Sequence, residues 1–320
     1  MAISDLRPLA ILAGYLLLCL SLTALILRSF PLRRGHRLLP IFAILAVASL
    51  CTTWYYMIRF FQHSYISWGS AQSPSSGAVT LGSINLWLSD VPLFRVAWET
   101  VVNSPTRWFW SQQIFLATVG WSMLLAHEGR ARNVPHLWAY MLLGQVVAIS
   151  FAMNLFFIAI LLHPRSPSAV AAAVRDGKWQ LLSALVAASY AFIYSTPEMV
   201  GTKRFLQVVL VPHGLLLLPC VFGGMAGGGK LPYAINGIAS IVFRAKVLYQ
   251  VGVDATLPGR LWRELNAHPA VSSVGWDVIM VITSVAVWEG ARKGWWRMVG
   301  LACAMLLAGA GLDIVAFVTH

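Results

Sequence analysis

Charge is what this sequence has least of. Only 11% of its 320 residues are Asp, Glu, Lys or Arg, against about a quarter in soluble domains. So few charges cannot coat a water-facing surface, which excludes an ordinary soluble enzyme. Acids are scarcest, eleven against 23 Lys and Arg, for a net charge of +12. The basic residues sit in short clusters between apolar blocks, where they face lipid headgroups and set orientation. No soluble basic domain exists to bind nucleic acid, and nothing calls for a protein partner.

Other absences narrow the chemistry. The four cysteines, Cys19, Cys51, Cys220 and Cys303, lie inside apolar blocks without a CxxC pair and are read as packing residues. The eight histidines are scattered, with no HxxH or HxxxH pair. "HEGR" at His127 and Glu128 is followed by Ala131 where a metalloprotease needs a second histidine. His213 follows Pro212, and a hydrogen bond to a carbonyl freed by the proline accounts for it. No DDxxD-type signature for magnesium and diphosphate is present. "GMAGGGK", ending at Lys230, has the spacing of a phosphate-binding loop, but Leu231 replaces the Ser or Thr and no strand precedes it. No metal and no cofactor are therefore expected. No internal repeat is visible, which counts mildly against a transporter built from two halves.

What the chain does have is apolar sequence, 58% of it, in blocks of the roughly 17 to 25 residues that cross a bilayer. The fold class is all-α, a polytopic transmembrane helical bundle of about eight spans plus interfacial or re-entrant helices. It forms one domain over residues 1–320. Continuous runs bounded by Arg and Pro do not alternate as a β-barrel would. The first block lacks the flanks of a cleaved signal and is read as a retained span. No lipidation motif ends the chain.

The spans are expected near 9–27, 39–61, 108–127, 138–162, 179–195, 205–222, 271–289 and 298–319. Residues 62–107 read as an extramembrane or interfacial segment, loop-like at first and amphipathic later. Residues 223–270 read as re-entrant or interfacial, because Arg244 and Lys246 interrupt an otherwise spanning run. Eight spans place Arg33/Arg34, Arg130/Arg132, Lys203/Arg204 and Arg292/Lys293 on one side, the cytosolic one. A ninth span would spoil that pattern.

Acids inside apolar runs need a partner, a cavity or a chemical task. Asp277 lies in "SSVGWDVIMVITSVAVWEG". At about 100° per residue, Ser273, Asp277, Ser284 and Trp288 share a helix face beside Trp276. An interhelical hydrogen bond without chemistry explains Asp277 as well as a reaction does. Asp313 sits in the last span near Gly309 and other small residues that allow close helix approach. If the last two spans form a hairpin, Asp277 and Asp313 lie ~21 and ~24 Å from the turn. Facing each other, they would share a proton. Glu99 lies just before a span on which Trp110, Gln113, Ala117 and Trp121 share a face, and aromatic faces stabilise cations. Interfacial anchoring is the plainer reading of such tryptophans. A protonated acid opposite aromatic walls suits protonation of an epoxide or alkene, shelter of the carbocation, and final proton loss to a base.

"SPTRWFWSQQIF" and "HPAVSSVGWDVI", with eight or so spans, resemble the fungal integral-membrane terpene cyclases of meroterpenoid pathways, the ascofuranone, ascochlorin and macrophorin cyclase type. The likeness runs from about Trp87 onward. It implies metal-free, acid-initiated cyclisation of a farnesyl-type chain on an aromatic or polyketide head, in the endoplasmic reticulum membrane. Asp277 inherits a catalytic expectation from it, Glu99 less. Asp313 rests on the depth argument. Trp276, Trp288, Ser284, Trp110, Gln113 and Trp121 are the expected substrate-binding and cation-stabilising residues, and a prenylated small molecule and the lipid bilayer are the expected partners. The alternative is a proton-coupled transporter of a small amphiphile, using the same acids as a relay.

Overall fold

The computed structural model describes residues 6–31, 35–72, 79–168, 170–171, 178–222 and 230–309. All regular structure among them is helical. Asp313, the Arg33/Arg34 pair and the glycines of "GMAGGG" lie outside the described residues. Four helices are long and apolar enough to cross a membrane: α1 (Arg7–Arg28), α2 (Leu39–Gln72), α10 (Leu231–Val251) and α12 (Pro269–Lys293).

Helix α5 (Pro105–Leu124) is the axis of the bundle. Ser104 caps it by accepting the Arg107 N–H, and Pro105 at its first position needs no partner. Almost every α5 residue is buried, so its sequence is apolar all round rather than on one stripe. It continues into a π-helical turn, Leu125–Gly129.

Other helices are oriented by their contacts with α5. Helix α9 (Phe205–Val221) runs parallel to it. His213 packs on Phe115, Ser122 donates to the Leu216 carbonyl, and Arg130 donates to the carbonyls of Pro219 and Phe222. Helix α10 runs antiparallel: Tyr233 lies by His127 and Arg244 over Phe109. Helix α12 is parallel again, with Gly275 against Trp110. Helix α2 opposes α12: Phe42 meets Trp288 and Phe60 meets His268. Helix α8 (Trp179–Ser195) packs Tyr190 on Phe243 of α10. Helix α13 (Trp295–Ala308) leaves α12 through Gly294 at φ 97°, a left-handed turn that suits glycine.

Three expectations are corrected. The run 138–162 is not one span. It forms α6 (Leu137–Val146) and α7 (Ile149–Leu162), broken at Val147 and Ala148. Both outer ends lie at the Gly129 end of α5. Leu137 packs on Gly129, and Arg132 donates to the Ile160 and His163 carbonyls. The pair is therefore a helical hairpin whose apex reaches the middle of the bundle. Non-helical backbone at such depth is tolerated where protein surrounds it.

The run 231–253, expected to be re-entrant or interfacial, is a continuous helix of 21 residues over Leu231–Val251, long and apolar enough to cross a membrane. The charge argument fails because Arg244, 3% exposed, turns inward over Phe109 and donates to the Leu306 carbonyl. Lys246 lies over the Tyr194 ring.

Finally, Lys203 and Arg204 sit at the start of α9, at the Pro105 end, opposite Arg130 and Arg132. The hairpin does not cross, so the segments that follow change ends.

Most of the described residues of segment 62–107 are helical. Helix α2 runs on to Gln72, and α3 (Leu81–Asp90) and α4 (Leu93–Val102) follow. Thr80 and Ser83 form a capping box that starts α3. Trp87 donates to Ser64 and Trp68 to Asp90, folding α3 back on the end of α2. Helix α11 (Leu257–Ala267) buries Leu261 and Leu265 and leaves Trp262 exposed, as an interfacial helix does.

Candidate functional site

The break in the hairpin builds the site. Ala148 precedes α7 in an extended conformation and has no side chain able to cap it. The cap arrives from another helix. Asp277 Oδ2 accepts from Ile149 N at 3.0 Å and Oδ1 from Ser150 N at 2.9 Å. The half-helix dipole places positive potential at the same point. On the other side of the break, Tyr15 of α1 donates to the Val146 carbonyl at 2.6 Å. One carboxyl and one phenol therefore meet backbone groups that hydrocarbon would leave unpaired.

A cavity of about 120 Å³ lies beside this apex, and Asp277 lines it. Trp98 of α4 and Phe115 of α5 form an aromatic wall, with ring centroids 5.0 Å apart. His213 meets both rings edge-on, at 6.0 and 6.3 Å. The polar lining includes Thr53, Thr118, Gln145 and Ser273. Each of these donates to a backbone carbonyl: Thr53 to Ser49, Thr118 to Ile114, Gln145 to His213 and Ser273 to Thr53.

Of the nominated residues that the structure describes, only Asp277 lines this cavity. Glu99 pairs with Arg95 at 3.0 Å and accepts from Gly201 N, so it ties α4 to the loop before α9. Its neighbour Trp98 forms the wall instead. Trp110 donates to the Leu261 carbonyl, and Trp276 packs edge-on against Trp262; both hold α11. Trp121 packs on Phe156 beneath the hairpin. The predicted aromatic face of α5 thus meets protein, and the cavity opens roughly a quarter-turn away, at Ile114, Phe115 and Thr118. Gln113 is fully buried, between α5 positions whose neighbours lie on α10. The expected face of α12 divides. Ser273 and Asp277 line the cavity, while Ser284 accepts from Asn154 and Trp288 stacks on Phe157 at 4.8 Å.

Residues 41–160, from the start of α2 to the last turn of α7, match a family described as a protein of unknown function, DUF2834. No curated protein and no solved structure matches the chain. The matched stretch contains the hairpin, Thr53 and the aromatic wall. It excludes Asp277 and His213, which come from the later helices.

A second polar cluster lies at the Gly129 end. Glu128, 2% exposed, pairs with Arg132 at 3.1 Å, with Arg165, and with His127 at 3.4 Å. Burial opposes ionisation, but the hydrogen bond from His127 and the two guanidinium groups outweigh it and hold the carboxyl at about 2. This cluster locks the hairpin ends to α5. At the other end, burial and the neighbouring His63 push His268 down to about 4, and its Nδ1 accepts from Ala270 N to cap α12.

Proposed function

We propose that the chain is a membrane-bound, metal-independent terpene cyclase acting on a farnesyl-type chain attached to an aromatic or polyketide head, of the fungal meroterpenoid kind. One observation carries the reading: a carboxyl group and an aromatic wall line one partly open cavity inside an apolar bundle. Asp277, protonated, gives its proton to the terminal epoxide oxygen or alkene carbon. The Ile149 and Ser150 N–H groups stabilise the carboxylate left behind. Trp98 and Phe115 offer their ring faces to the carbocation, internal double bonds attack in turn, and loss of a proton ends the sequence with no change of mass.

Size limits what the cavity holds. An apolar cavity of roughly 150 Å³ takes one benzene ring, and ligand sites run to ~300 Å³ or more. About one isoprene unit fits beside Asp277, so the reacting end enters first and the remaining chain lies between helices.

The membrane assignment belongs to this reading. Helices α1, α2, α5, α8, α9, α10, α12 and α13 make eight crossings, and α6–α7 dips in and returns. The Gly129 end carries Arg130, Arg132, Arg165, Arg292 and Lys293 and faces the cytosol by the positive-inside rule. The endoplasmic reticulum is the expected membrane.

The interrupted hairpin favours a second reading, a proton-coupled transporter of a small amphiphile. Half-helix N-termini at mid-membrane hold anionic substrates in such proteins. Here Asp277 already occupies that position, which favours the cyclase. The test is incubation of membranes containing the protein with a farnesylated phenol and with its terminal epoxide, chelator present. A cyclised isomer from one of them supports the proposal. Uptake into vesicles without conversion supports the transporter.

A further inference from the structure

Acid-initiated cyclisation needs a base as well as an acid, because the last carbocation must lose a proton. We infer that His213 is that base, an assignment that rests on the cyclase reading and adds the terminating residue to it. His213 lines the same cavity as Asp277. It reaches the site from α9, on the α5 side of the cavity, whereas Asp277 comes from α12.

One contact fixes the tautomer of the neutral ring. Nδ1 lies 2.7 Å from the Val209 carbonyl. A carbonyl only accepts, so Nδ1 carries the hydrogen and Nε2 keeps its lone pair. The carbonyl engaged is that of residue 209, one turn back, rather than the carbonyl of residue 208 that Pro212 frees. Gln145 from the hairpin apex donates to the His213 carbonyl at 3.0 Å and fixes the backbone there. The edge-on contacts with Trp98 and Phe115 place the imidazole against the rings that shelter the cation. No ion pair engages it among the described residues.

The other polar groups of the cavity are less available to take the final proton. The hydroxyls of Thr53, Thr118 and Ser273 are weak bases already committed as donors, and the Gln145 amide has no basic nitrogen. The Asp277 carboxylate is engaged at both oxygens by backbone N–H groups. The balance is simple. Asp277 loses a proton to the substrate, and Nε2 takes one from the carbon next to the final cation. The C–H electron pair becomes the product double bond. Proton return from His213 to Asp277 resets the site without an oxidant or a co-reactant.

Product analysis of His213→Ala and His213→Gln, in nanodiscs with the farnesylated phenol and its epoxide, tests this. Both variants are expected to consume substrate. The native alkene should fall by about a hundredfold relative to other products, replaced by isomers with the double bond elsewhere and by an alcohol one water heavier. Unchanged product ratios in both variants would overturn the assignment and leave Asp277 to recover the proton. Loss of all turnover with substrate still bound and melting near that of the wild type would also overturn it, because His213 would then serve initiation. A wild-type protein that makes no cyclised product would instead remove the cyclase reading itself.

Discussion

Replacing Asp277 with Ala should unseat the hairpin whatever chemistry the carboxyl performs. Ile149 N and Ser150 N lose acceptors at 3.0 and 2.9 Å, and Asp277 is only 7% exposed. A buried donor left unmet costs about 1–3 kcal/mol, and loss of an ordinary N-cap costs about 1 kcal/mol. Two donors at one dry helix end therefore give about 3–4 kcal/mol in total. At roughly 2–4 °C per kcal/mol in a large domain, melting falls by about 6–16 °C. Asp277→Asn keeps one oxygen for one N–H and turns its amide N–H₂ towards the other, so it should lose about half as much. Thermal unfolding in detergent, followed by tryptophan fluorescence, gives the order wild type above Asn above Ala. An Ala variant that melts within about 1 °C of the wild type would refute the cap and, with it, the reason the hairpin turns where it does.

Other outcomes follow from the same contacts. Glu128→Gln should cost about 3–5 kcal/mol, because two guanidinium groups lose their buried counter-charge; a shift under about 1 kcal/mol would make the cluster a surface-like pair. Glu128 ionises more readily folded than unfolded, so its contribution is complete above about pH 4.5 and disappears as pH falls towards 2. His268 is neutral in the fold down to about pH 4, so its stabilising effect is full above its unfolded value near 6.5 and declines as pH drops from there through 4. His268→Asn, which still caps α12, should flatten that part of a melting-versus-pH curve. Arg244 has its Nε and Nη1 buried without partners among the described residues, so Arg244→Met should be neutral or stabilising. A loss above about 3 kcal/mol would reveal an anion paired with it.

Class and element content were legible because they depend on composition and run length. The hairpin was not. Its 26 residues, Leu137–Leu162, read as one apolar block, and the break at Val147–Ala148 contains neither Gly nor Pro. Gly144, Gln145, Ser150 and Asn154 hinted that the block was not uniform, but none of them marks the break. The signal for the turn is stored elsewhere, in Tyr15 and Asp277, which are 131 and 128 residues away from the backbone groups they meet. Asp277 was found because an acid in an apolar run is costly, a local fact. Trp98 and Phe115 were missed because sequence gives a helix face but not which neighbour covers it. His213 was accounted for by a hydrogen bond to the carbonyl that Pro212 frees, but it bonds to the Val209 carbonyl instead; its place in the cavity depends on the parallel packing of α9 on α5. Arg244 misled because a charge looks costly until the structure turns it inward.

The most direct test of the central claim is a single turnover of purified protein on the alkene substrate in deuterated buffer with chelator, wild type against Asp277→Asn. The account predicts that the wild type delivers one solvent deuteron to carbon in a cyclised isomer and that the variant binds the substrate without converting it. Wild-type turnover by Asp277→Asn, or turnover only after magnesium is restored, would contradict it.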